Sequence, residues 1–128
     1  MEFINGHEWF MINDIVLTIH TMSDLKKMRN LFLKSLRTLI FYDKALFDFG
    51  TKNKNDILFF DPIAIDFDEK QLTQYFDYYH QIDYTRWIFA QSKATIYRDT
   101  DLINDCTRKN TEIFRDWMLP MDTHFTIG

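Results

Sequence analysis

Residues 39–65 constrain this chain more than any other stretch. Two arms rich in aromatic and β-branched residues, 39–50 and 57–65, flank the polar loop 51–56. From Ala45 to Phe49 the residues alternate. Ala45, Phe47 and Phe49 point one way, Leu46 and Asp48 the other. That pattern predicts a β-hairpin, with Gly50 closing the first strand and Pro62 interrupting the second. The rest of the chain reads as helical or short, so the hairpin is expected to be the sheet that the helices cover.

The helical stretches follow from spacing. Residues 1–6 read as frayed. Residues 8–19 read as a helix with Trp9, Ile12, Val16 and Ile19 on one face and further apolar residues around most of the remainder, so a deep burial or a partner is expected. Thr21 reads as an N-cap with Asp24 as the capping-box acid. A helix then runs to about Leu39, its inner stripe Leu25, Met28, Phe32, Leu36 and Leu39, its wet side Lys26, Lys27, Arg29, Lys34 and Arg37. Asp66 or Asp68 caps a third helix to about Ile82, striped by Leu72, Tyr75, Phe76, Tyr79 and Ile82. A short helical piece spans 84–91. Residues 94–99 read as a strand or extended loop. Residues 101–118 read as helical, with Ile103, Cys106, Asn110, Ile113, Phe114 and Trp117 inward and Pro120 ending the helix. Residues 124–127 read as a last strand. The fold class is thus α/β (α+β), in one domain over residues 1–128, with no repeat or internal boundary.

Composition narrows the function. A formal net charge of -4 over 128 residues argues against direct nucleic-acid binding, which calls for a cationic face. With Cys106 as the one cysteine there is no disulfide framework and no thiolate metal cluster, and a reducing cytoplasm fits. Residues 1–8 lack a basic start, so no signal peptide is visible. The apolar run 9–19 is broken by Asn13 and Asp14 and is too short to span a membrane.

No catalytic constellation is visible. The sequence has no glycine-rich phosphate loop, no G-x-S-x-G elbow and no H-E-x-x-H pair. His80 and Asp83 could share a metal, but two ligands do not make a site. Cys106 has Arg108 nearby, yet its place on the inner stripe reads as an inert core thiol. The densest block is 75–89, where Tyr75, Phe76, Tyr78, Tyr79, Tyr84, Trp87 and Phe89 surround His80, Asp83 and Arg86. Such residues either wall a small-molecule pocket or fill a core over a small sheet. Phe76 fits the core; Tyr79, Tyr84 and Trp87 fit a pocket. Arg98, beside Asp99 and Asp101, reads as an ion-pair residue or as a bidentate grip on an anionic ligand.

Several motifs occur in a familiar order: 44–48 (Lys-Ala-Leu-Phe-Asp), Asp61-Pro62, 78–84 (Tyr-Tyr-His-Gln-Ile-Asp-Tyr), 97–102 (Tyr-Arg-Asp-Thr-Asp-Leu) and Leu119-Pro120. Together they resemble the N-terminal GAF-like sensory domain of bacterial LuxR-type helix-turn-helix transcriptional regulators, over roughly residues 22–128. The resemblance implies a GAF/PAS-like fold, a small central antiparallel sheet flanked by helices with a pocket between, here in an incomplete version. It also implies further strands, a closing helix and a DNA-binding domain beyond Gly128, so output is expected to lie outside this segment.

The resulting expectation is a cytoplasmic, non-enzymatic sensory module. It binds a small-molecule effector or a partner protein, with Phe47, Tyr79, Tyr84, Trp87, Tyr97 and Arg98 as ligand-binding candidates. It needs no metal or cofactor, contacts no membrane, and forms a homodimer through the first helix, through the terminal strand, or by exchange of one of them. The alternatives are a dimerisation or protein-interaction module without a ligand, and a small enzyme.

Overall fold

A computed structural model describes residues 3–54 and 56–128. The fold mixes helices with a two-stranded antiparallel sheet, an α+β architecture. In chain order the regular elements are α1 (Gly6–Thr21), α2 (Leu25–Leu36), β1 (Ala45–Asn53), β2 (Asp56–Ile65), α3 (Glu69–Asp77), α4 (Arg86–Phe89), α5 (Asp99–Leu102) and α6 (Asp105–Lys109). A π turn (Phe114–Met118) and a 3-10 turn (Leu119–Met121) follow. The chain divides into two compact units, residues 1–49 with 60–67, and residues 50–59 with 68–128. Two of the three boundaries cut through the hairpin strands, at Gly50 and Phe60, and the third falls between Phe67 and Asp68. No linker composition marks them, which is why the sequence shows no boundary.

In the first unit, α1 begins earlier than its apolar residues suggest. Asn5 accepts from the Glu8 amide and Glu8 reaches back to the Asn5 amide, a capping box that orders part of the expected frayed start. Met1 and Glu2 lie outside the described residues. Thr21 is the last residue of α1 and bonds back to the Leu17 carbonyl. Asp24, not Thr21, caps α2, accepting from the Lys27 amide at 3.0 Å. The buried side of α1 centres on Ile15, while Trp9, Val16 and Ile19 of the expected face are exposed.

The largest correction in this unit concerns Arg29. It belongs to the expected wet side of α2, yet its side chain is 0 % exposed. Its guanidinium reaches the Asp61 carbonyl at 2.6 Å and the Asp61 carboxylate at 2.5 Å, and lies over the rings of Phe47 and Phe49. Asp61 has φ 50, in the left-handed region. That strained backbone turns its carbonyl and carboxylate toward one guanidinium, whose planar fork can hold both. The twist also lets β2 continue across Pro62, rather than stop there as the sequence suggests. Likewise β1 runs through Gly50 to Asn53, and Lys54, at φ 55, lies in the turn that follows it.

Asp48, on the opposite face of β1 from Phe47, is partly buried, and burial pushes its carboxyl up to about 6 against the opposing pull of a backbone hydrogen bond and the Arg29 charge. The folded protein therefore holds the proton more tightly than the unfolded chain. The stability from this group is full below about pH 4 and is lost as pH rises through about 6. Asp48→Asn is expected to add about 1–3 kcal/mol at pH 7 and nothing at pH 4, measured by urea unfolding at both pH values. An equal effect at both would show that the carboxyl titrates normally.

In the second unit, Asp68 and Gln71 form the capping box of α3. The helix stops at Asp77, short of Ile82, because Tyr78 leaves helical geometry and a 3-10 turn (Tyr79–Gln81) follows. The stretch expected as one helix from 101 to 118 is three pieces. Asn104 breaks it by capping α6, its side chain accepting from the Cys106 and Thr107 amides. That resets the helical phase, so Cys106 and Asn110 are exposed, whereas Ile113, Phe114 and Trp117 stay buried. Pro120 sits at the start of the 3-10 turn rather than ending the helix, and the chain turns away at left-handed Asp122. The strand or extended loop expected at 94–99 and the last strand expected at 124–127 meet in one antiparallel bridge, between Arg98 and Ile127.

Candidate functional site

The second unit carries an open cleft of about 380 Å³ beside α4. Its lining is Asp56, Ile57, Asp83, Tyr84, Arg86, Trp87 and Ala90. The tip of the hairpin supplies the first two residues, and the turn before α4 with α4 itself supplies the rest. Asp83 builds that turn. Its Oδ1 accepts from the Thr85 amide at 2.8 Å and the Thr85 hydroxyl at 2.7 Å, and its Oδ2 accepts from the Tyr75 hydroxyl at 2.8 Å.

Arg86 anchors the other wall. One terminal nitrogen is paired with Asp56 and reaches the Ile57 carbonyl at 3.4 Å. The other donates to the His80 carbonyl at 3.0 Å and meets His80 Nδ1 at 2.9 Å, which fits a His80 ring protonated on Nε2. His80 and Asp83, too few to make a metal site, each take these separate partners. Among the described residues no group of three His, Cys, Asp or Glu side chains is placed to hold a metal ion. Trp87 leaves 54 % of its surface exposed at the cleft. Tyr84 turns its hydroxyl away, donating to Asp99 at 2.7 Å. Burial, then that hydrogen bond, pushes the Tyr84 hydroxyl up, so it remains a donor at neutral pH.

Behind Tyr84 lies a buried ionic cluster. Asp99 and Arg108 are 0 % exposed. Arg108 Nη1 stands 3.5 Å from the Asp99 carboxylate and donates to the His124 carbonyl at 2.5 Å, while Nη2 donates to Asp105 at 2.7 Å. The guanidinium lies over the rings of Phe114 and Phe125.

The sequence candidates separate. Tyr84 and Trp87 line the cleft together. Tyr79 stacks on Trp117, whose indole nitrogen donates to the Gln71 carbonyl at 3.0 Å. Tyr97 is hydrogen-bonded through its backbone to Gly128. Phe47 belongs to the first unit, edge-on to Phe32 and Phe49. Arg98 is exposed and pairs with Asp101 at 2.9 Å. The arginine of the cleft is Arg86, which sequence reasoning passed over although it lies in the aromatic block. Arg98→Ala is expected to move the melting temperature by no more than about 2 °C, because an exposed pair contributes little. A larger drop in a thermal melt would give Arg98 a structural role the geometry does not show.

No protein-family model, no curated protein and no solved structure matches this chain.

Proposed function

We propose that this chain is a sensory module of a transcriptional regulator, of the GAF-like kind found in LuxR-type helix-turn-helix proteins, and that it reads a small-molecule effector in the cleft beside α4. The cleft carries this reading: a half-exposed Trp87 beside Tyr84, within reach of charged groups held rigidly by their own hydrogen bonds. Its volume lies at the lower end of the range for small-ligand sites. The ordered motifs between Lys44 and Pro120 support the same reading. An effector biases such a module only by its difference in affinity for two conformations. Output to DNA belongs to another domain, since the acidic balance here disfavours duplex binding.

A thermal-shift screen of small amines, carboxylates and neutral aromatics tests the reading. A compound near ten times its dissociation constant is expected to raise the melting temperature by about 2–5 °C, and to lose that effect in Trp87→Ala. A shift that survives Trp87→Ala would place the effector elsewhere.

A second reading, homodimerisation through α1, has its own observation. Trp9, Phe10 and Leu17 are 53 %, 66 % and 61 % exposed, with Val16 and Ile19 beside them. Apolar side chains this exposed on one helix suit a two-fold contact with a second copy. Size exclusion with light scattering is expected to give a dimer at about 100 µM that Phe10→Glu with Leu17→Glu converts to monomer. A single monomeric species for the unaltered chain would remove this reading.

A further inference from the structure

We infer that the cleft beside α4 selects a positively charged ligand, an amine or quaternary ammonium with a flat or apolar body, and this rests on the cleft being the effector site. The sequence leaves Arg98 open as an ion-pair residue or as a grip on an anion. The geometry removes that handle, because Arg98 pairs with Asp101 and does not line the cleft. The arginine that does line it is already engaged. Arg86 donates to the carbonyls of His80 and Ile57, meets His80 Nδ1 and is paired with Asp56. An incoming anion would have to displace Asp56 from it.

A cation meets the opposite situation. Among the described residues the lining holds two carboxylates, Asp56 and Asp83, against one guanidinium, an excess of one negative charge. Asp56 keeps 61 % of its side chain exposed although it is paired, so it can accept a second cation. Trp87 offers a half-open indole, the aromatic surface that attracts cations most strongly. Tyr84 adds a ring whose hydroxyl is committed to Asp99. Charge and ring together favour an ammonium group near Trp87 with its apolar body along Ile57 and Ala90.

Three probes of similar size separate the possibilities: benzyltrimethylammonium, benzyl alcohol and phenylacetate. Each is titrated into the full chain while the Trp87 indole NH resonance is followed by NMR, assigned with Trp87→Phe. The ammonium is expected to bind about tenfold more tightly than the alcohol, and to weaken as salt is raised, with phenylacetate weakest. Asp56→Asn frees Arg86 and removes one carboxylate, so it is expected to abolish the preference for the ammonium and improve phenylacetate binding. Tighter binding of phenylacetate than of the ammonium by the unaltered protein would overturn the charge assignment and leave the cleft as a binding site. Equal binding of all three would also overturn it. If no probe moves the Trp87 resonance at millimolar concentration, the cleft reading fails together with the inference.

Discussion

Arg108→Ala is expected to destabilise the protein by about 3–5 kcal/mol, the largest effect of any single substitution considered. The reason lies in what stays behind. Asp99 is 0 % exposed, and without Arg108 its carboxylate keeps only the Tyr84 hydroxyl as a side-chain partner. A carboxylate left without its counter-charge out of water costs several kcal/mol. The His124 carbonyl loses its donor too, and the rings of Phe114 and Phe125 lose the cation between them. The double variant Arg108→Met with Asp99→Asn should recover a large part of the loss, because it removes both charges and keeps volume. Chemical unfolding of the wild type, the Arg108→Ala variant and the double variant makes the comparison. A loss under about 1 kcal/mol for Arg108→Ala would mean that water reaches Asp99 freely.

Arg29→Ala is expected to cost about 3–4 kcal/mol. Here the stranded partner is half-exposed, since the Asp61 carboxylate faces solvent over 53 % of its side chain. The loss comes instead from the backbone. The carbonyl of Asp61 loses its 2.6 Å donor, the left-handed conformation at Asp61 loses its clamp, and Phe47 and Phe49 lose the guanidinium packed on them. Arg29→Lys should recover less than half, because an ammonium is a point donor and cannot hold carbonyl and carboxylate in one plane. Guanidinium unfolding of the three proteins decides it. Full rescue by lysine would show that charge alone matters at this position.

Local patterns were enough to read the hairpin arms, the helices α1, α2 and α3, and the aromatic block that contains Tyr84 and Trp87. Each is encoded locally. Alternation along 45–49, 3.6-residue spacing and the Asp68–Gln71 capping pattern are properties of a few neighbouring residues. Boundaries were less legible where local rules compete. Asn104 could continue a helix or cap the next one, and it caps.

Tertiary structure decided the roles of the charged residues. Arg29 read as solvated, and Arg108 only as a neighbour of Cys106, because a charge is buried only when a partner elsewhere in the sequence meets it. Those partners, Asp61 and Asp99, lie 32 and 9 residues away. Arg98 read either as an ion-pair residue or as a grip on an anion, and the acids beside it in sequence are what pair it with Asp101. Arg86 reached the cleft only because the hairpin tip brings Asp56 and Ile57 to α4, a contact across some thirty residues. Periodicity reports which side of an element is apolar. Which buried charge meets which counter-charge depends on chain folding over longer distances, and no local pattern carries it.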